Sequence, residues 1–196
     1  MNRKTSLERE TKETQIALEL DIDGRGVYDI DTGIGFFNHM LEGFARHGFF
    51  DLLLRVQGDT DVDAHHTVED TGIALGEAFA QALGEKEGIA RFGTFILPMD
   101  DALVLASLDL SGRPFLAFDA ELTAPTLGTM ETETVKEFFQ GFVNGARINL
   151  HLRKLAGENT HHIVEAMFKA FAKALDMATG RDSRIEGVLS TKGVLE

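Results

Sequence analysis

The sequence predicts an α+β fold made by tandem duplication of one half-domain, each half a mostly antiparallel sheet with two helices packed on one face. Three observations predict it. A His-His pair followed three residues later by Glu occurs twice, in "DAHHTVED" (63–70) and "ENTHHIVE" (158–165), and the pairs stand 96 residues apart. Two turn glycines, Gly24 and Gly112, stand 88 apart. The order of strand-like and helix-like patterns around these marks is the same in both halves, which span 1–90 and 91–196.

In the first half, "TQIALELDI" (14–22) alternates polar and apolar residues and is rich in strand formers. "DGRG" (23–26) reads as a hairpin turn, with "VYDID" as the partner strand. "FFNHMLEGFARHG" (36–48) has apolar residues at helical spacing and a glycine stop. "FDLLLRV" is a third strand, and "VEDTGIALGEAFAQALGEK" is an amphipathic helix despite two internal glycines. In the second half, "DALVLASLDL" (101–110) and "PFLAFDAEL" are strands around the turn "SGR" (111–113). "VKEFFQGFVNGA" (135–146) is a helix, "RINLHLRKL" a strand and "VEAMFKAFAKALDM" the last helix. "GIARFGTFILPMD" (88–100) reads as the link between halves, "APTLGTMETET" (124–134) as an exposed loop and "EGVLSTKGVLE" as a Gly-rich, mobile tail. The fifteen phenylalanines read as core.

Composition excludes several classes of function. No apolar run approaches the roughly 18 residues of a membrane span, and "MNRKTSLERETKET" lacks the apolar core of a secretion signal. There are no cysteines, so neither disulfides nor thiolate metal sites form, and a cytoplasmic location is expected. A formal net charge of −13 argues against nucleic acid or an anionic membrane as partner. It also means that any site for an anionic metabolite must be built locally from Arg and Lys.

An isolated His-His pair at a helix start is ordinarily a surface or capping feature; two copies in a duplicated unit point to metal. Each helical residue advances by about 100°, so Glu69 shares a face with both His65 and His66, while the two histidines point apart. An adjacent pair therefore serves two metals more readily than one. Four imidazoles and two carboxylates suit Mn²⁺, Zn²⁺ or Fe²⁺. The spacing is not the HExxH of zinc proteases. "DTDVD" (59–63) lacks the later Gly and Glu of a calcium loop and reads as a solvated turn. His39 and His47, eight apart on one helix, read in isolation as buried core histidines. A binuclear phosphohydrolase and a metal-storing shell stay open as alternatives on the residues alone.

"DTGIGFFNHMLEGFARHGFFDL", "GDTDVDAHHTVEDTGIALGEA", "SLDLSGRP", "LHLRKLAGENTHHIVEAMFKAFAKAL" and "STKGVLE" together resemble the imidazoleglycerol-phosphate dehydratase family over nearly the whole chain. The resemblance implies a lyase of histidine biosynthesis that dehydrates D-erythro-imidazoleglycerol phosphate to imidazole-acetol phosphate. It implies two Mn²⁺ per active site and a shell of twenty-four subunits with sites between subunits. The metal ligands it implies are His39, His65, His66, Glu69, His151, His161, His162 and Glu165. The substrate-binding residues are Glu13, His47, Arg91, Arg113, Lys169, Ser190 and Lys192, the cationic members forming a local phosphate pocket. Where the family commonly has Asp, this chain has Asn38, expected to orient the neighbouring ligand histidine, and where it commonly has Gln, this chain has Gly43.

The hydrogen lost in this dehydration sits on a carbon with no adjacent carbonyl, so the imidazole ring itself must be the electron sink. An imidazolate that expels the neighbouring hydroxide to give a diazafulvene-like intermediate meets that need. The protons require carboxylates; Glu165 is the first assignment and Glu13 the second.

Overall fold

The computed structural model describes residues 3–195; positions 1, 2 and 196, at the ends of the two sequence halves, lie outside the described residues. The first half contains β1 (Lys4–Glu10), β2 (Thr14–Asp21), β3 (Tyr28–Asp31), α1 (Gly35–Gly48), β4 (Asp51–Gly58) and α2 (His65–Leu83). The second repeats that series as β5 (Phe92–Met99), β6 (Ala102–Asp109), β7 (Phe115–Asp119), α3 (Thr134–Ala146), β10 (Asn149–Ala156) and α4 (Thr160–Thr179). A small hairpin, β8 (Thr126–Leu127) and β9 (Met130–Glu131), precedes α3.

Each half forms a four-stranded sheet, in the orders β1-β2-β4-β3 and β5-β6-β10-β7. Two pairings in each sheet are antiparallel, and the last, β3 with β4 or β7 with β10, is parallel. Strict alternation along β2 sends Ile16, Leu18 and Leu20 toward the helices and Gln15, Ala17 and Glu19 to the other face. α2 packs on the first sheet and against α3, and α4 packs on the second sheet and against α1. The helices meet through a shared aromatic core. Phe44 of α1 stacks on Phe171 of α4, which meets Phe142 of α3 edge-on, and Phe79 of α2 lies 5.3 Å from Phe142. Burying each of these rings is worth about 1.5–3 kcal/mol.

The two internal glycines of α2 have a structural reason. A Cβ on Gly72 would stand 2.3 Å from the Phe138 carbonyl oxygen, and one on Gly76 would stand 2.3 Å from that of Phe142. Gly141 and Gly145 of α3 press back on the backbone of Glu69, Ile73 and Glu77 just as closely. The two helices thus meet backbone to backbone, glycine spacing four in each.

Several expectations need correction. The segments read as hairpin partners, 14–22 with 27–31 and 101–110 with the strand after "SGR", do not pair; β4 and β10 lie between them. The hairpins are instead β1–β2 and β5–β6. The supposed link 88–100 contains β5, and the amino-terminal segment forms β1. The 124–134 loop carries β8–β9, with Met130 and Thr132 buried. α1 ends at Gly48 as expected, but the left-handed cap is Phe49 (φ 59°), and Gly48 is small because a Cβ there would meet the Phe50 ring at 2.2 Å. The tail is tied to the segment that leads into β5. Gly88 N–H donates to Gly187 O, and Arg91 Nη1 donates to Leu189 O at 2.7 Å.

Candidate active site

Among the described residues, His39, His161 and Glu165 are the group of potential metal ligands whose donor atoms lie within 4.8 Å of one another. α1 supplies His39, and the first two turns of α4 supply the others. Asn159 caps α4, its Oδ1 accepting from the backbone N–H of His161 and His162. Glu165 Oε2 lies 3.2 Å from His161 Nε2 and 3.6 Å from His39 Nε2, and its Oε1 accepts from Lys169 Nζ at 2.5 Å. Burial pushes the Glu165 carboxyl up, but the Lys169 ammonium and the two imidazoles outweigh it, leaving the group below the ordinary carboxylate range. Glu165 is therefore held as an ionised carboxylate, a form that can ligate a cation.

The two His-His motifs divide in the same way. The first histidine of each reaches the glutamate of its own motif: His65 Nε2 is 3.7 Å from Glu69 Oε2, matching His161 and Glu165. The second turns aside onto an aspartate. His66 Nδ1 lies 3.0 Å from Asp59 Oδ2 and His162 Nδ1 lies 2.7 Å from Asp101 Oδ1. A carboxylate at Nδ1 keeps the proton there and leaves Nε2 free to ligate. The hydrogen bond that His66 Nδ1–H donates to Asp59 raises the His66 pKa. Asp101 is itself fixed by the backbone N–H groups of Asn159 and Glu158, and these, with His162, hold its carboxyl far below the ordinary range. The free Nε2 atoms face hairpin turns, His66 toward Glu13 Oε2 at 3.8 Å and His162 toward Asp100 Oδ2 at 3.6 Å. "DTDVD" is thus more than a solvated turn: Asp59 holds His66, and Asp63 accepts from the His65 N–H.

The remaining candidates fall in three places. His151 projects from β10 beside the Phe115 ring, 5.8 Å between centroids, apart from the His39 group. His39 and His47 are both exposed, which overturns their reading as core histidines. Local loss of hydration and the cationic Lys169 and Lys173 lower the His47 pKa, favouring its neutral imidazole. Arg91, Arg113, Ser190 and Lys192 line one hollow of about 950 Å³ under the tail, together with Arg184. Arg91 is aimed by Asp109, with contacts of 2.7 and 3.0 Å. Lys169 stands outside that hollow, on Glu165. Gly43 faces it: a Cβ there would sit 3.9 Å from Lys169 Cε. Asn38 does not orient His39; its Oδ1 accepts from Thr32 N–H and the Thr32 hydroxyl.

Sequence reasoning missed Asp59, Asp100 and Asp101. The signal was present as acidic residues at the hairpin tip "PMDD" and just before the first motif, but the tip was not recognisable while β5 was read as a linker.

A family model for imidazoleglycerol-phosphate dehydratase matches residues 32–175. The imidazoleglycerol-phosphate dehydratase of Lachnoclostridium phytofermentans is 61% identical over 196 residues, covering 100% of both chains. That of Acetivibrio thermocellus is 60% identical, again over 100% of both. The crystal structure of the Staphylococcus aureus enzyme superposes with a TM-score of 0.83 at 38% identity, covering 91% of this chain and 99% of that one. The Pyrococcus furiosus enzyme in complex with (S)-C348 gives 0.84 at 40% identity, over 96% and 100%. With paired His-His-x-x-Glu motifs on a duplicated α+β scaffold and full-length similarity of this degree, the chain belongs to the imidazoleglycerol-phosphate dehydratase family of hydro-lyases.

Proposed function

We propose that the chain dehydrates D-erythro-imidazoleglycerol phosphate to imidazole-acetol phosphate in histidine biosynthesis, through an imidazolate and a diazafulvene-like intermediate, at a site holding two Mn²⁺. The observation that carries this reading is the convergence of His39, His161 and Glu165 beside Lys169. This all-nitrogen-and-oxygen donor set fits a borderline-to-hard divalent cation. His39, His65, His66, Glu69, His151, His161, His162 and Glu165 are the residues proposed to hold the pair. Bound there, Mn²⁺ would supply Lewis acidity toward the substrate's ring nitrogens and leaving oxygen.

The chain's own groups account for the rest. Glu165, kept ionised by Lys169, takes the carbon-bound proton. Glu13, at the β1–β2 turn beside His66, is the second proton carrier. His47, neutral and next to Lys169, contacts substrate as an uncharged donor or acceptor. Arg91, Arg113, Ser190 and Lys192 hold the phosphate in the hollow beneath the tail, a cationic pocket on a protein of net charge −13.

One subunit leaves the eight proposed ligands in separate places, so completion of the site by neighbouring subunits, twenty-four in the family's shell, is part of the proposal. Exposed Tyr28 and Leu53 on the first sheet and Phe92, Ile96 and Phe115 on the second supply large apolar groups for such contacts. The location is proposed to be cytoplasmic.

The test is formation of the acetol product, followed by absorbance, after chelation and after Mn²⁺ is restored, with particle size read in parallel. Chelation should abolish turnover and shrink the particle, because ligands drawn from several subunits link metal binding to assembly by mass action. Mn²⁺ should restore both. Metal-independent turnover would overturn the metal assignment, and an unchanged particle would overturn ligands shared between subunits.

Asp101→Asn should weaken Mn²⁺ binding by roughly tenfold, at the low end for loss of a carboxylate behind a ligand histidine. The amide can still accept from Glu158 and Asn159, so the loop should stay in place. Competition against a chelating dye measures the change.

A further inference from the structure

The proposed role of Glu13 raises the question of what holds it in place. Its side chain is half exposed, on a tight turn between β1 and β2, and nothing in its own geometry fixes it against His66. Buried Asp70, the residue after Glu69 on α2, takes hold of both legs of that hairpin. Its Oδ1 accepts from Arg9 Nη2 at 2.9 Å, on the strand entering the turn. Its Oδ2 accepts from the Thr14 hydroxyl at 2.5 Å, on the strand leaving it. Thr14 is buried. The Thr11 hydroxyl then organises the tip, accepting from the N–H groups of Glu13 and Thr14 at 3.1 and 3.0 Å. The Glu13 carbonyl closes the circuit by accepting from Asp59 N–H at 3.1 Å, and Asp59 is the group that holds His66.

We infer that Asp70, acting through Thr14, is a positioning residue that locks the Glu13 turn onto the helix carrying His65, His66 and Glu69. The inference rests on the assignment of Glu13 to the reaction. The physical argument is one of placement. Glu13 must lie within hydrogen-bond reach of a reacting atom, and a displacement of about 1 Å in such a group costs up to roughly 100-fold in rate. A turn held only by its own backbone hydrogen bonds would leave a glutamate carboxylate free to solvate. The buried carboxylate converts the turn into an extension of α2, so that Glu13 and the first histidine pair move as one body.

Four variants test this in the Mn²⁺-loaded enzyme: Thr14→Val, Thr14→Ser, Glu13→Gln and the double variant of Thr14→Val with Glu13→Gln. Thr14→Val has nearly the same shape and removes only the hydroxyl; Thr14→Ser keeps it. Thr14→Val should lower kcat roughly 10- to 100-fold with KM and metal content within about twofold of the parent, and Thr14→Ser should restore kcat to within about threefold. In the Glu13→Gln background, Thr14→Val should cost less than about twofold more, because the group it positions is already lost. A Thr14→Val penalty as large in that background as alone overturns the positioning role, as does a parallel loss of metal. Full activity of Glu13→Gln overturns instead the assignment of Glu13 on which the inference rests. If Thr14→Val fails to fold, Asp70→Asn compared with Asp70→Ala replaces it: the amide oxygen can still accept from the Thr14 hydroxyl while its NH2 gives up Arg9, so the alanine variant should lose kcat at least roughly tenfold more than the asparagine variant, and equal losses overturn the proposal.

Discussion

Glu165→Gln should lower turnover by about 10²–10⁴-fold, the range for a lost general acid–base group, while leaving most of the bound metal in place. The substitution keeps size and one ligating oxygen but removes basicity. It also uncouples Lys169, whose ammonium lies 2.5 Å from Glu165 Oε1. The pairing matters for the sign of the effect. Burial alone would push Glu165 toward the protonated form, which cannot take up a proton; Lys169, His39 and His161 reverse that. The carboxylate is thus held ionised, as the proposed proton acceptor must be, and the amide cannot take up a proton in its place. Metal content and single-turnover rate should be measured on the same preparation. A Glu165→Gln enzyme with parental turnover would remove this residue from proton transfer and leave Glu13 as the carrier. Loss of the metals together with activity would make Glu165 chiefly a ligand.

The repeat was legible in the sequence because its marks are local. Two His-His-x-x-Glu motifs and the turn glycines can be read without knowing what they touch, and strand alternation in 14–22 and 101–110 follows from burial on one face. What escaped was long-range pairing. β1, "KTSLERE", exposes charges at alternate positions as an edge strand does, and only its antiparallel register with β2 makes it a strand. β5 contains a proline and a glycine and was hidden for the same reason. The βα crossovers that slip β4 between β2 and β3, and β10 between β6 and β7, leave no local signal at all. Asp101, which aims His162, and Asp100, which faces its Nε2, were lost with β5 because they sit on the β5–β6 turn. Asp70 was in plain view inside "HHTVED", but its use depends on the missed β1–β2 hairpin.

Gly76→Ala should destabilise the protein by about 3 kcal/mol, the upper range for forcing a methyl group into a packed interior, and lower its thermal midpoint by roughly 6–12 °C. Helix propensity alone predicts the opposite, a gain of about 0.5–1 kcal/mol for alanine over glycine. Sterics decide against propensity because the atoms in the way belong to the backbone. The new Cβ would stand 2.3 Å from Phe142 O and 2.8 Å from Ala146 N, so no side-chain rotation relieves it. α2 and α3 would have to separate along their whole contact, opening the aromatic cluster of Phe79 and Phe142. Gly43→Ala is the control. Its nearest contact outside α1 is the flexible Lys169 chain at 3.9 Å, so there the propensity gain should show as a higher midpoint. Both variants should be melted without metal and at one protein concentration, because metal and assembly each shift the midpoint by mass action. An unchanged midpoint for Gly76→Ala would mean that α2 and α3 are not in backbone contact. The predicted drop should instead carry Mn²⁺ affinity down with it, since the helix displaced by the methyl group is the one that presents His65, His66 and Glu69.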